Sequence, residues 1–200
     1  MTDTILYYEK NADGYAAETS ELDFHEIQDL FLFCLPEGAR ILDLGCGAGR
    51  DSKYFSERGF SVRSADGSEA MCRAAEKYTG VHAECLTFSE ALAGETLYGG
   101  IWACASLLHL KKQEIAPHLA AASRVLEENG ILYASFKYGT AEEERDGRHY
   151  TDLTEKSFRE ILAESGADLR EERIWTTRDV RPRQGDMTWL NIICRRRRMC

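Results

Sequence analysis

No apolar stretch in this 200-residue chain approaches the ~20 residues that a membrane-spanning helix needs. The first residues, with Asp3 early, lack the apolar centre of a signal peptide. Together these two absences point to a cytoplasmic protein with no membrane partner. The seven cysteines are odd in number and never spaced as C-x-x-C, which argues against a disulfide framework and against a zinc site, so no metal is expected. Reduced, mostly buried thiols are the simpler reading. There is no internal repeat, no low-complexity tract and no long linker. One domain over residues 1–200 is expected, with a helical amino-terminal extension or lid over 1–38 and a core over 39–200. Positive charge is in deficit, with a formal net charge of -9. That balance disfavours a protein that coats nucleic acid, and no DNA partner is expected. The single basic run, Arg195 to Arg198, reads as a solvated tail.

What is present starts with Ala39 to Phe55, ARILDLGCGAGRDSKYF. Ile41, Leu42 and Leu44 read as a buried strand of a parallel sheet. Gly45-Cys46-Gly47-Ala48-Gly49 then lets the backbone turn sharply and lets a ligand lie against bare main chain. Helical spacing follows, up to Gly59. Strand, glycine turn and helix in this order build a nucleotide-type site at the carboxyl end of a first strand. A dinucleotide fingerprint needs glycine at the first, third and sixth places, and here the sixth is Arg50. On that spacing a nicotinamide-dependent oxidoreductase is the weaker alternative.

Further along, Phe60 to Asp66 is a second strand that ends in an acid, about 20 residues after the first glycine, where a carboxylate meets a ribose. Asp66 can also cap the helix that begins near Ser68. Val81 to Thr87 reads as a third strand and Tyr98 to Leu110 as an apolar fourth strand with its exit. Lys111 to Asn129 reads as a long amphipathic helix, Ile131 to Tyr138 as a fifth strand and Gly139 to Asp152 as a polar loop. Leu153 to Ser165 is helical with Thr154 as N-cap, and Ala167 to Thr177 and Met187 to Cys194 form a closing strand pair.

The pattern Asp43-Leu44-Gly45-x-Gly47-x-Gly49 resembles the first motif of the class I S-adenosylmethionine-dependent methyltransferases. Asp66-Gly67-Ser68-Glu69 is similar to that family's second motif, and Leu108-His109 after small residues to its fourth. Arg124 to Leu132 resembles its R-x-L-x-P-G-G-x-L segment, with Glu and Asn in place of the proline and one glycine. Among its members the chain looks nearest the small bacterial enzymes of the tellurite-resistance and tRNA wobble-uridine type. The resemblance implies an α/β, Rossmann-like seven-stranded sheet of order 3-2-1-4-5-7-6, mostly parallel with one antiparallel strand and helices on both faces. It implies methyl transfer from S-adenosyl-L-methionine, leaving S-adenosyl-L-homocysteine, by in-line displacement.

By that resemblance Gly45, Cys46, Gly47, Asp66, Gly67, Ser68 and Ala105 hold the cofactor, and Leu86 and Thr87 stand where the adenine ring packs. Tyr8 and Tyr15 of the extension would close on the methionine end or merely cover the core. His109 is the candidate proton acceptor, or a histidine packed against the cofactor with no proton role, and Tyr150 is a second catalytic candidate. Lys137, Arg148, Arg181 and Arg183 are candidates for holding an acceptor carboxylate or phosphate, or else surface charge. The acceptor is expected to be a small anionic molecule or an RNA, and the assembly a monomer or homodimer. A non-catalytic S-adenosylmethionine-binding regulatory module stays open as a further alternative.

Overall fold

The computed structural model describes residues 2–181 and 186–198. Two helices, α1 (Asp3–Thr19) and α2 (His25–Phe33), precede the first strand. The sheet is then built from β1 (Arg40–Leu44), β2 (Ser61–Asp66), β3 (Ala83–Cys85), β4 (Tyr98–Ala103) and β5 (Leu126–Lys137). These alternate with α3 (Arg50–Glu57), α4 (Glu69–Thr79), the single turn α5 (Phe88–Ala91) and α6 (Lys112–Val125). A hairpin of β6 (Glu142–Arg145) and β7 (Arg148–Thr151), helix α7 (Glu155–Glu164), and strands β8 (Leu169–Arg178) and β9 (Thr188–Arg196) complete the chain.

The seven-stranded order is β3-β2-β1-β4-β5-β9-β8. With the hairpin set aside this is the expected 3-2-1-4-5-7-6. The first five strands run parallel, and β9 is antiparallel to both β5 and β8. All six residues of β4 are buried, and four of the five of β1. That is why these strands read as unbroken apolar runs: helices cover both faces of a parallel sheet. One face packs Phe31 of α2 and Phe55 of α3 onto Trp102, which stacks on Tyr133 with centroids 4.0 Å apart. The other carries α6 and α7 through Ile115, Leu119, Phe158 and Ile161.

Some expected boundaries shift. Helix α6 stops at Val125 rather than Asn129, because Leu126 turns inward and pairs with Tyr98 of β4. The Asn129 turn, with φ of 63°, is thus a kink within β5. The stretch read as a polar loop is the β6–β7 hairpin. Its two-residue turn is Asp146-Gly147, with φ of 52° and 74°, the left-handed geometry that a tight hairpin demands. The basic run is only partly a tail: Arg195 pairs with Glu172 at 2.6 Å, and both Arg195 and Arg196 lie in β9. Among the described residues no helix is long and apolar enough to cross a membrane.

Candidate active site

The site begins where β1 ends. Gly45 and Cys46 donate their backbone N–H groups to the Ala65 carbonyl at 2.8 and 3.0 Å, which folds the glycine turn back on β2. Gly45 has φ of 81°, and a Cβ there would stand 2.5 Å from Ser106 Cβ and 3.3 Å from the Phe88 ring. Only glycine leaves that space open. Gly49, with φ of 87°, serves packing instead: a Cβ would meet Thr79 at 2.7 Å. Asp66 accepts from Gly47 N–H at 3.0 Å and from Ser68 N–H at 2.9 Å. Burial raises its pKa, while those two backbone donors pull it back down.

Three cavities meet at the carboxyl ends of the strands. One of about 290 Å³ runs from Gly45 past Asp66, Gly67 and Met71 to Thr87 and Phe88. A second, of about 130 Å³, lies between the glycine turn and the β8–β9 end. A third, of about 260 Å³, opens towards Lys137, Arg148 and Tyr150. Tyr15 and Ala105 line all three. Ala105 has φ of 51° and donates its N–H to Ser135 Oγ at 2.8 Å, a strained non-glycine backbone of the kind that collects at functional sites.

Most of the expected cofactor residues line these cavities, but three do not do so as expected. Leu86 turns into the main core as its N–H continues the β2–β3 pairing to Asp66 O at 2.9 Å. Phe88, two residues on, occupies the cavity wall in its place. Ser68 is buried, accepts from Met71 N–H as N-cap of α4 and donates to Glu9 at 2.7 Å, so its hydroxyl fixes helices and does not face the cavity. Cys46 lines only the small cavity, with its thiol pushed well up by burial. Thr87 does line the large cavity, yet its hydroxyl is committed to a capping box with Glu90. Ser106 carries no signal in the sequence: the residue lines the large cavity, and its buried Oγ has no hydrogen-bond partner among the described residues.

Helix α1 lies over the junction. Glu9 accepts from Ser68 Oγ and from Ala70 N–H at 3.0 Å, tying α1 to the start of α4. Thr4 Oγ accepts from His149 N–H at 2.9 Å, tying it to the hairpin. Tyr8 and Tyr15 both point into the cavities, with ring centroids 5.1 Å apart.

His109 lies on a short 3-10 turn, Leu107–His109, and stands 3.0 Å from the Tyr8 hydroxyl through Nε2 and 2.7 Å from the His149 carbonyl through Nδ1. A carbonyl only accepts, so Nδ1 carries the proton, and Nε2 accepts from Tyr8. Burial drops the His109 pKa from 6.5 to about 4. Tyr150 is buried, its hydroxyl pKa raised by burial, and its ring carries Lys137 Nζ 3.7 Å from the centroid. Arg181 is held by Asp179 at 2.9 and 2.5 Å, and Asp179 also accepts from Trp189 Nε1 at 2.9 Å. Arg183 lies outside the described residues.

The lowered histidine value has a consequence for acid stability. On acidification the unfolded chain takes up this proton near pH 6.5 and the native state only near pH 4. Stability present above that window is therefore lost as pH falls through it, by at most about 3 kcal/mol. Denaturant unfolding at pH 7 and pH 4.5 should show a smaller difference in His109→Gln than in the wild type. An equal difference in both would mean that His109 does not titrate this way.

Beneath the glycine turn lies a buried polar cluster. Asp51 accepts from Gln28, from two nitrogens of Arg50 and from Trp102. Asp43 accepts from Ser52 Oγ at 2.6 Å, and burial, reinforced by Asp51, pushes its pKa up to about 8. Among the described residues no group of three or more His, Cys, Asp or Glu side chains is placed to hold a metal.

Residues 41–130, from β1 through β5's kink, match a family described as "Methyltransferase domain". Over that stretch, just under half of its length, the chain is similar to this family. The chain is also 33% identical over 138 residues to Bacillus subtilis (strain 168) YqeM, whose name marks it as a presumed methyltransferase. The match covers 62% of this chain and 56% of YqeM, so little more than half of that relative's length is represented. Among solved structures, the 1,6-didemethyltoxoflavin-N1-methyltransferase of Burkholderia thailandensis superposes with a TM-score of 0.76 at 22% identity, over 97% of this chain and 85% of that one. A TehB-like methyltransferase of Corynebacterium glutamicum gives 0.68 at 22%, over 96% and 98%. The cyclase SpnF also superposes, with a TM-score of 0.67 at 16% identity over 86% and 81%. This shared fold thus extends to an enzyme named for other chemistry, and the activity must be argued from the site.

Proposed function

We infer that this protein binds S-adenosyl-L-methionine and transfers its methyl group to a small acceptor, releasing S-adenosyl-L-homocysteine. The observation that carries this is the junction itself: a trough lined by the glycine turn and Asp66 and a separate pocket meet at Ala105 and Tyr15.

The residues fit the cofactor. Asp66 offers carboxylate oxygens to a ribose diol. The Phe88 ring and Met71 wall a slot for a flat base, and the unpartnered Ser106 Oγ is there to meet its polar edge. The bare backbone at Gly45 leaves room that any side chain would fill. Arg50 and Arg181 face the small cavity at the opposite end, where a carboxylate belongs. The bound cofactor supplies a sulfonium that already activates the methyl carbon. What remains for the chain is to align an acceptor lone pair and exclude water, and α1 and the β6–β7 hairpin roof that junction.

A cofactor-binding regulatory module needs no adjoining pocket, so the third cavity favours the enzyme reading. The pocket's size and its roof support a small molecule over an RNA strand. An oxidoreductase would need glycine, not Arg50, at the sixth place of the turn.

The test is a calorimetric titration of S-adenosylmethionine, S-adenosylhomocysteine and NAD into wild type and Asp66→Ala. Both sulfur compounds should bind, NAD should not, and the variant should lose about 10- to 100-fold in affinity, the usual value of a charged hydrogen-bonding group. Folded wild type that takes neither sulfur compound would overturn the reading.

A further inference from the structure

The third cavity has a chemical character that narrows what it accepts. Its walls are aromatic: Tyr8, Tyr15, Tyr150 and Trp189. Its charge is cationic. Lys137 ends β5 and rests on the Tyr150 ring. The Arg148 guanidinium lies over Tyr7, Tyr8 and Tyr150 at 4.3, 5.9 and 5.4 Å, and its Nε is buried without a hydrogen-bond partner. Arg145 and Arg181 also line the pocket, but they are held by Asp152 and Asp179. Among the described residues Lys137 and Arg148 make no ion pair. Among the described residues the one carboxylate on the wall is Asp146, exposed at the hairpin tip.

Apart from Asp146 at the exposed tip, no group among the described residues of this wall is free to act as a general base. The accepting nitrogen of His109 is taken by Tyr8, and its other nitrogen by the His149 carbonyl. Burial keeps Tyr8, Tyr15 and Tyr150 in their neutral, protonated forms. His149 is turned away, between Glu144 at 3.0 Å and Thr151 at 3.3 Å.

Resting on the methyltransferase reading above, we propose that the acceptor is a small planar acid (a phenol, enol, thiol or acidic ring N–H) bound as its anion. Lys137 holds the deprotonated atom, with Arg148 beside it. The proton leaves to solvent on binding, so none has to be removed during the reaction. The acceptor's free pair forms the bond to the methyl carbon as the carbon–sulfur pair returns to sulfur, and the negative and positive charges cancel. Cations within a few ångströms lower the pKa of such a group, and two together act more strongly.

Lys137 is the member of the pair that can itself lose charge. Burial, with Arg145, Arg148 and Arg181 nearby and Asp152 opposing, lowers its pKa from 10.5 to about 8. Acceptor binding should therefore weaken as pH rises through that value. In Lys137→Arg, whose charge is permanent, this alkaline limb should vanish.

The experiment uses 4-nitrophenol, which is yellow only when ionised, added to protein loaded with S-adenosylhomocysteine at a pH where the free probe is mostly neutral. Wild type should turn the bound probe yellow, binding it as the nitrophenolate. Lys137→Arg should do the same, and Lys137→Met should lose about 10- to 100-fold in affinity together with the colour. Binding without colour, no binding at all, or unchanged colour in Lys137→Met would each overturn the proposal. Retained S-adenosylhomocysteine binding in every protein shows that the cofactor reading stands and that the variants are folded. Its absence from wild type condemns the cofactor reading instead.

Discussion

Asp51→Ala is expected to lower the unfolding free energy by about 3–5 kcal/mol, the range for removing one partner of a buried ion pair. Asp51 is 8% exposed. It accepts from Gln28 Nε2 at 2.7 Å, from Arg50 Nε and Nη2 at 2.8 and 2.9 Å, and from Trp102 Nε1 at 2.8 Å. Without it the Arg50 guanidinium keeps its charge in a buried setting, and the Trp102 indole N–H has nowhere to donate. Gln28 belongs to α2 and Trp102 to β4, so the carboxylate joins the amino-terminal extension to the centre of the sheet. It also sets the start of α3, directly after the glycine turn. Urea unfolding checks the size of the loss. A drop below about 1 kcal/mol would mean that water or a rearranged Arg50 satisfies the exposed donors. Asp51→Asn should cost less than Ala but still be destabilising, because its amide places a new donor among existing donors.

Gly45→Ala should weaken cofactor binding by about 100-fold or more and cost about 2–5 kcal/mol in stability. Two effects add. A non-glycine residue at φ of 81° is strained by roughly 1–2 kcal/mol. The new methyl also lands 2.5 Å from Ser106 Cβ and close to Phe88, an overlap worth roughly 1–3 kcal/mol in a packed interior. Relief requires Ser106 or Phe88 to move, and both line the trough. Gly59→Ala separates the two effects. Gly59 has φ of 84°, but no atom lies within 4 Å of where its methyl would stand, so that change should show the backbone cost alone and leave binding intact. Equal losses in the two variants would mean that steric closure of the trough contributes nothing.

The glycine turn and Asp66 are legible in the sequence because each is local or nearly so, and the strand order follows from the family resemblance. Alternation of apolar strands with amphipathic helices implies a parallel sheet, and three glycines between β1 and α3 mark where its ligand edge lies. The hairpin escapes a sequence reading for a physical reason. Its strands are four residues long, and β6 is Glu-Glu-Glu-Arg, with no apolar alternation to reveal a pleat. Only Asp146-Gly147 signals the turn. Leu86 falls beside the adenine only if the third strand runs to Thr87. The strand ends at Cys85, and the change in exit turns Leu86 inward and Phe88 to the cavity.

By itself, then, the sequence determined the α/β class and the cofactor-type turn, since periodicity and glycine spacing are properties of neighbouring residues, while the sheet order followed only from the family resemblance. Tertiary structure alone decided the chemistry of the acceptor pocket. His109 looks like a free base until Tyr8, 101 residues away, occupies its nitrogen. Among the described residues, Lys137 and Arg148 become a pair of cations without carboxylate partners only when the hairpin folds over β5 and other arginines find theirs. Charge pairing and burial act through space, so which of many similar charged residues is left facing a pocket is settled only when the chain has closed around it.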